Sequence, residues 1–310
     1  MLALFILAGV VLLLIVSGGV TFFIACARKK EMPWLDEEAL KKTPYGGYYD
    51  HIQKAHQWLS EQNAQPIGIT SADGLKLAGL WVPAKDAKGT ILLAHGYCSS
   101  FLVDFGPVME YYHSQGLNLL LPYQRSHGKS EGRYITFGVK ESDDMLRWID
   151  YHNSTFGKLP MILSGLSMGA STVMYMADEQ LPENVRGIIA DCGFTSPKEI
   201  ISDVFRKVIH LPAAPAVWVA DLFARVFAGF SLTQKDSRKT LPKNRLPIIM
   251  VHGMADNFVP CDMTRQGYQV CAGEKQQLLV EEATHGVSFL HAKDRYTTLV
   301  YNFIQKNLAS

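Results

Sequence analysis

The sequence predicts an α/β protein in which a mainly parallel sheet carries helices on both faces. After residue 88, short apolar segments of strand length alternate with longer segments of helical spacing, and this alternation is typical of parallel sheets. The chain has 310 residues, of which 48% are hydrophobic. This is enough for the core of one large domain with additional segments, and the sequence shows no internal repeat.

Residues 1–30 are predicted to form a transmembrane anchor. Residues 2–27 carry no charge, and as a helix they would span about 39 Å, more than the ~30 Å of a hydrocarbon core. A basic run at 28–30 follows and no basic residue precedes, which predicts a cytoplasmic downstream domain; an extracytoplasmic one is the alternative. A cleaved signal peptide and a lipoprotein site at Cys26 are further alternatives. The stretch is long for a signal peptide, and Phe23 is a poor fit to a lipoprotein site.

Charge and cysteine content exclude several classes of partner. The formal net charge is +1 and the basic run at 28–30 stands alone, so nucleic acid is not expected as a partner. The number of cysteines is odd and none form a C-x-x-C pair, so neither a disulfide framework nor a zinc site is predicted. They are Cys26, Cys98, Cys192, Cys261 and Cys271.

Residues 31–64 are interpreted as a tether followed by a docking helix. The segment mixes charges with Pro33 and Pro44, and an amphipathic stretch lies around 51–59. Next, two apolar runs flank Ser71-Ala72-Asp73-Gly74, and Asp-Gly between apolar runs is typical of a hairpin. The main domain, residues 65–310, is therefore expected to open with antiparallel strands.

The rest of this domain alternates between strands and helices. The predicted strands are 66–70, 77–82, 90–94, 118–121, 160–163, 185–190, 247–251 and 277–281, and the predicted helices are 107–115, 139–151 and about 289–308.

A connection of more than fifty residues separates two of these strands, too long for an ordinary loop. An insertion is therefore predicted at about 197–245. Within it, 200–209 and 216–227 are apolar at helical spacing and rich in aromatic residues. They are interpreted as a helical cap over the functional site, with an additional pair of core helices as the alternative.

The most specific motif is Gly165-Leu166-Ser167-Met168-Gly169. An apolar strand precedes it and an apolar run of helical length follows, which is the context of a nucleophile elbow. The two glycines allow a sharp turn, so Ser167 is expected at the tip with its hydroxyl exposed.

A serine hydroxyl needs a base to accept its proton, and the elbow predicts the chain order serine, acid, histidine. Of the ten histidines, His285 follows the last predicted strand and is the candidate base. His95 and His252 each precede a glycine at a strand end, where an imidazole commonly braces the turn.

Asp256 is the candidate acid because it lies in the loop after the penultimate strand. Asp191 also ends a strand and is the alternative, interpreted as a loop-bracing carboxylate. Two backbone N–H groups are expected to form the oxyanion hole, those of Met168 and Tyr97. Cys98 is a second-choice nucleophile.

With these residues in place, the chain from about Pro66 to Leu308 resembles the α/β-hydrolase superfamily, in its serine-aminopeptidase-like or lysophospholipase-like branch. Five motifs in order carry the resemblance: His95-Gly96-Tyr97, Gln124 to Gly132, Gly165 to Gly169, His252 to Pro260, and His285-Gly286. The resemblance implies an α/β-hydrolase fold with an eight-stranded sheet, a Ser-acid-His triad, and no metal or organic cofactor. Gln124 stands where such proteins usually have aspartate.

The predicted function is a membrane-anchored serine hydrolase that cleaves carboxylic esters through an acyl-Ser167 intermediate. The expected partners are a small-molecule or lipid-like acyl substrate and the membrane around the N-terminal helix. A peptidase-like amidase with the same triad is the alternative, since one scaffold serves many substrates. A non-catalytic binding protein on a hydrolase scaffold is a further alternative.

Overall fold

The computed structural model describes residues 1–30, 32–42 and 46–308. Eight strands form one central sheet: β1 (Gln65–Thr70), β2 (Lys76–Val82), β3 (Gly89–Ala94), β4 (Leu117–Pro122), β5 (Met161–Leu166), β6 (Val185–Asp191), β7 (Ile248–Gly253) and β8 (Lys275–Val280). Their order is β1-β2-β4-β3-β5-β6-β7-β8. β2 is antiparallel to β1 and β4, and the other neighbouring pairs are parallel. The predicted α/β fold with a mainly parallel eight-stranded sheet is confirmed.

The helices of the described residues are α1 (Leu2–Cys26), α2 (Glu37–Lys41), α3 (Tyr49–Glu61), α4 (Phe101–Asp104), α5 (Gly106–Ser114), α6 (Val139–Thr155), α7 (Met168–Tyr175), α8 (Pro197–Ile209), α9 (Ala214–Phe223), α10 (Ser237–Thr240), α11 (Cys261–Val270), α12 (Ser288–His291) and α13 (Lys293–Leu308). Short 3-10 turns at Gly46–Tyr48, Met176–Asp178 and Leu241–Lys243 and a π-helical turn at Ala224–Ala228 complete the list. The predicted closing helix is thus two helices, because the chain leaves helical geometry at Ala292.

Alternating side chains of the central strands serve two cores. Ile91 and Leu93 of β3 face a cluster that includes α5 and α13, whereas Leu92 faces a cluster that includes α6 and α7. This period of two follows from the pleat of a strand. Both faces of the sheet are therefore covered, as a parallel sheet requires.

The first hairpin is fixed to the rest of the domain by Arg125. Its buried guanidinium pairs with Asp73, in the turn between β1 and β2, at 2.9 Å and with Asp144 of α6 at 2.7 Å. Gly74 completes the turn with φ +86°, a conformation that favours glycine. The Asp-Gly hairpin predicted from the sequence is present.

The described part of residues 31–64 contains α2, one 3-10 turn and α3. The predicted docking helix around 51–59 lies within α3, and Ile52 packs with Trp34 and Leu40. Glu31, Thr43, Pro44 and Tyr45, on which part of the tether prediction depends, lie outside the described residues, as do Ala309 and Ser310 at the end of the main domain. The division into anchor, tether and main domain stays a prediction.

The N-terminal helix α1 packs against α9 of the insertion. A Cβ at Gly18 would overlap the side chain of Val219, so glycine allows the two helices to approach closely. One turn further on, the ring of Phe22 lies 6.2 Å from that of Phe223. The two helices thus belong to a third core cluster, which also contains Met168 and Tyr175 of α7 and Ile200 of α8.

Candidate active site

Ser167 lies in a strained turn between β5 and α7. Its backbone has φ 56° and ψ −116°, a conformation that costs on the order of 1–3 kcal/mol for a residue with a side chain. The flanking glycines make the turn possible. A Cβ at Gly169 would overlap the carbonyl of Ala94, and a Cβ at Gly165 would overlap the backbone of Gly169 itself.

One imidazole links the serine to a carboxylate. His285 Nε2 lies 2.9 Å from Ser167 Oγ, and His285 Nδ1 lies 2.7 Å from Asp256 Oδ2. An ionised carboxylate only accepts hydrogen bonds, so Nδ1 carries the proton and Nε2 is left to accept one from the serine. The loops after β7 and β8 supply these two groups, at the carboxyl edge of the sheet.

Asp256 is held ionised by its hydrogen-bond partners. Burial alone would raise its pKa, but hydrogen bonds from His252 and His285 and from the Val259 N–H outweigh burial and hold the pKa well below its usual range. The Oδ1 atom accepts from the N–H groups of Phe258 and Val259 at 2.8 and 2.9 Å. A negative charge is therefore present beside His285 at neutral pH.

Asp191, the alternative acid, has other partners. Its backbone carbonyl accepts the Ser167 N–H at 2.8 Å, and its carboxyl group accepts from the Ser288 hydroxyl at 3.3 Å. Burial raises the pKa of Asp191 to about 6. The carboxyl group that accepts from His285 is that of Asp256.

The Gly96–Cys98 turn lies beside the serine, and two of its three amides are occupied. The Gly96 N–H donates to Asp104, and the Cys98 N–H donates to His127 Nε2 at 2.9 Å. The Tyr97 N–H makes no hydrogen bond within the described chain, and the same holds for the Met168 N–H at the start of α7. These two amides are the predicted oxyanion donors.

Two residues that the sequence did not assign to the site hold this turn. His127 Nδ1 donates to the Arg125 carbonyl at 2.9 Å, which leaves Nε2 free to accept from Cys98; burial lowers its pKa to about 4. Asp104 accepts from Ser99 Oγ at 2.6 Å as well as from Gly96. His127 lies within the Gln124 to Gly132 motif, whereas Asp104 belongs to none of the five motifs.

Gln124 stands where similar proteins usually have aspartate, and it still holds the end of the neighbouring strand in place. Its side-chain amide donates to the His95 carbonyl, and its backbone N–H donates to His95 Nε2 at 3.1 Å. Burial lowers the pKa of His95 to about 3. His95 therefore stays neutral and structural, and Gln124 ties its strand end to the neighbouring loop.

Ser167 and His285 open into a cavity of about 590 Å³. Tyr48, His51 and Ile52, at and near the start of α3, form part of its wall. Residues 197–245 do not contribute to the wall within the part of the chain that the structure describes. A cap over the site at 197–245 thus stays a prediction, and one part of the cavity wall comes from the segment before the sheet.

Two cysteines lie near the serine, and both are held as neutral thiols. Burial raises the pKa of Cys98, which lines the cavity, and this disfavours it as a nucleophile. Cys192 forms, with Asp256 and His285, a group that could hold a metal ion, but burial raises its pKa well above the usual value. Because metals bind the thiolate, the raised pKa of Cys192 disfavours metal binding by this group.

Comparison with known proteins agrees with this fold. Residues 85–220 match the model of the family described as serine aminopeptidase, S33. The uncharacterized protein YqkD of Bacillus subtilis is 24% identical over 96% of this chain and 95% of its own length. YfhR of Escherichia coli K12 is 22% identical over 77% and 78%, respectively.

Two solved structures show the same fold. An esterase of Pyrococcus furiosus, Pf2001, superposes with a TM-score of 0.67 at 20% identity, covering 81% of this chain and 94% of its own. The acylaminoacyl peptidase of Pyrococcus horikoshii has a TM-score of 0.59 at 16% identity, covering 82% of this chain and 43% of its own.

The sheet order and the likeness to these solved structures show the α/β-hydrolase fold, and residues 85–220 resemble one of its hydrolase families. The α/β-hydrolase fold implied by the five motifs is thus present.

Proposed function

We propose that the chain is a membrane-anchored serine hydrolase that cleaves carboxylic esters through an acyl-Ser167 intermediate. The observation that carries the proposal is the chain of hydrogen bonds from Ser167 Oγ through His285 to Asp256, at 2.9 and 2.7 Å. Such spacing lets the imidazole take the serine proton as the hydroxyl attacks a carbonyl.

In the proposed acylation, Ser167 Oγ bonds to the ester carbonyl carbon while its proton moves to His285 Nε2. Asp256 stabilises the imidazolium that results. The carbonyl oxygen becomes an oxyanion, and the N–H groups of Tyr97 and Met168 are proposed to donate to it. The intermediate then collapses, and the alcohol leaves with the proton from Nε2.

In the proposed deacylation, a water molecule takes the place of the alcohol. His285 Nε2 accepts one of its protons, and the hydroxide oxygen bonds to the acyl carbon. Collapse returns the proton to Ser167 Oγ and releases the carboxylic acid. The same three side chains thus serve both halves of the cycle.

The charge of the cavity supports an ester substrate over an aminopeptidase substrate. An aminopeptidase needs an anionic group for the ammonium of its substrate. Asp104 is the one acidic side chain among the described residues of the wall, and both of its oxygens accept hydrogen bonds from the Gly96–Cys98 turn and Ser99. The apolar wall, which includes Val103, Leu166 and Leu290, suits an acyl chain.

Membrane anchoring through α1 is part of the proposal. Of the described helices, α1 alone is long and apolar enough to cross a bilayer, a test that a signal sequence also passes. Its packing supports retention, because Gly18, Gly19, Phe22 and Cys26 are buried against the domain and cleavage would expose their partners. The basic run that follows α1 supports a cytoplasmic main domain.

The test is labelling of the purified full chain with a fluorophosphonate probe, followed by mass mapping. We expect an adduct on Ser167, lost in Ser167→Ala and His285→Ala, while Ser154→Ala, a change at an exposed serine of α6, labels like the parent. An adduct elsewhere, or equal labelling of Ser167→Ala, contradicts the proposal. Turnover of aminoacyl amides with none of acyl esters would favour the amidase instead.

A further inference from the structure

The insertion exposes an unusual number of large apolar side chains. Trp218, Leu222 and Val226 are 65%, 58% and 68% exposed and follow one another at intervals of four, so they share one face of α9 and its π-helical extension. Val208, Ile209 and Leu211, at the junction of α8 and α9, are also exposed. We call these six residues the insertion's apolar face.

This face is continuous with the surface of α1. The adjacent side of α9 packs on α1 through Val219, against Gly18, and Phe223, against Gly19. Phe227, half exposed at the end of the π-helical turn, lies 5.9 Å from the ring of Phe23 on α1. An apolar surface therefore runs from the membrane-type helix onto the insertion without a polar boundary.

The length of α1 determines how deeply α9 would lie in a bilayer that α1 crosses. The first residue of α1 buried against the domain is Gly18. The sixteen residues before it, 2–17, span about 24 Å at 1.5 Å per residue, less than the ~30 Å of a hydrocarbon core. About 6 Å of the crossing must come from the part of α1 that lies beside α9. If α1 crosses a bilayer, α9 enters it too.

The charges of this segment are compatible with such a position. From Ala214 to Ala228, the charged residues are Asp221 and Arg225, and they pair with each other at 2.9 Å. A paired ion costs less than a single one in a medium of low dielectric constant. The segment therefore carries no net charge toward the lipid.

We propose that the insertion's apolar face is a second membrane contact, with α9 lying in the lipid beside α1 and Trp218 against the acyl chains. The partner is a phospholipid bilayer. The inference rests on the proposed anchoring role of α1 and adds to it. The main domain is then held flat against the membrane by two elements instead of swinging on one helix.

Depth-dependent quenching of tryptophan fluorescence tests the proposal. The full chain and its Trp218→Phe variant are reconstituted in phosphatidylcholine vesicles, with and without bromine on the acyl chains. We expect brominated lipid to quench the fluorescence difference between the two proteins by at least half, and aqueous iodide to leave it unchanged. Quenching of that difference by iodide and not by brominated lipid overturns the proposal.

Two tryptophan reporters, each introduced into the Trp218→Phe variant, distinguish the second membrane contact from the anchoring role of α1. Leu12→Trp reports on α1, and Tyr301→Trp on an exposed position of α13 that should respond to iodide. If brominated lipid quenches a tryptophan at position 12 but not Trp218, α1 is an anchor and the second contact is refuted. If it quenches neither tryptophan, both membrane contacts are refuted. Shielding of Trp218 from both quenchers, with a dimeric mass in nanodiscs, would instead assign the face to a second copy of the chain.

Discussion

The Tyr97 hydroxyl donates to the backbone carbonyl of Ala25 across 2.8 Å, joining the turn beside Ser167 to the last turn of α1. A second bond, from the Ile135 N–H to the Cys26 carbonyl at 2.6 Å, holds a neighbouring loop in the same way. The end of the N-terminal helix is thus built into the surroundings of the catalytic candidates.

Tyr97→Phe removes this bond and keeps the ring, which stacks on Phe137 at 5.3 Å. Loss of one hydrogen bond costs about 1 kcal/mol, and we expect it to loosen the turn whose N–H is proposed to face the oxyanion. The kcat for a water-soluble acyl ester should fall by about 3- to 10-fold with little change in KM. Tyr301→Phe, at an exposed tyrosine, is the control. An unchanged kcat would show that the bond does not position the turn.

Two truncations separate anchoring from support of the site. A chain that begins at residue 18 keeps Phe22 and the Ala25 carbonyl, whereas a chain that begins at residue 28 loses both. We expect the first to label with fluorophosphonate at the parent rate and the second to label at least about tenfold more slowly. Equal labelling of the two folded proteins would limit α1 to anchoring.

Substitutions of the proposed triad should be strongly non-additive. Ser167→Ala and His285→Ala should each lower kcat by about 10⁴-fold or more, and the double variant should be no slower than either single one. Asp256→Asn should also cost about 10⁴-fold. The measurement is kcat at saturating ester with circular dichroism as a check of folding. Multiplicative losses in the double variant would contradict a shared mechanism.

Asp191→Asn should stabilise the protein in a pH-dependent way. Burial raises the pKa of Asp191 to about 6, above its unfolded value of 3.8, so the native state holds the proton more tightly than the unfolded chain. The parent therefore has its full stability below pH 4 and loses it as the pH rises through 6. The free energy of unfolding of the asparagine variant, relative to that of the parent, should therefore rise by roughly 2 kcal/mol between pH 4 and 7.

Urea unfolding of both proteins in detergent at the two pH values measures this difference. The Ser288 hydroxyl, which donates to the carboxyl group of Asp191 at 3.3 Å, can donate to an amide oxygen as well, so the comparison isolates the charge. A constant difference across this range would mean that the carboxyl group is already ionised at pH 4 in the native state.

Gly169→Ala tests the packing of the elbow. The added Cβ would overlap the Ala94 carbonyl of the neighbouring strand, and overpacking of this kind typically costs about 1–3 kcal/mol. We expect lower stability and loss of labelling at Ser167. Gly9→Ala, where a Cβ would meet nothing within 4 Å, should leave both unchanged. A stable and active Gly169→Ala protein would mean that the turn can relax.

Most of the sheet could be predicted because its central strands, such as β3 and β7, are short buried runs of mainly apolar residues. The positions of Ser167, Asp256 and His285 followed from the chain order of the strands, since each lies in the connection after one of them. The functional roles of these three residues, and of the Tyr97 and Met168 amides, stay predictions until the labelling experiment.

Contacts between segments that are far apart in the sequence could not be predicted, because no local sequence pattern marks them. The bond between Tyr97 and Ala25 joins residues 72 positions apart, and neither residue type marks it. The approach of α1 to α9 depends on Gly18, which in an apolar helix looks like any other small residue. Helix α11 was missed because its side chains are mainly polar and the residues that it buries, Cys261, Thr264 and Gly267, are small.

The proposed catalytic groups and part of the cavity wall come from different segments of the chain. The groups proposed to break the bond come from loops of the sheet, whereas Tyr48, His51 and Ile52 come from a segment that precedes the sheet entirely. A change in that segment would reshape the space for the substrate and leave Ser167, Asp256 and His285 themselves unchanged. Substitutions in this segment are therefore expected to alter which compounds the cavity accepts, while the proposed catalytic side chains stay the same.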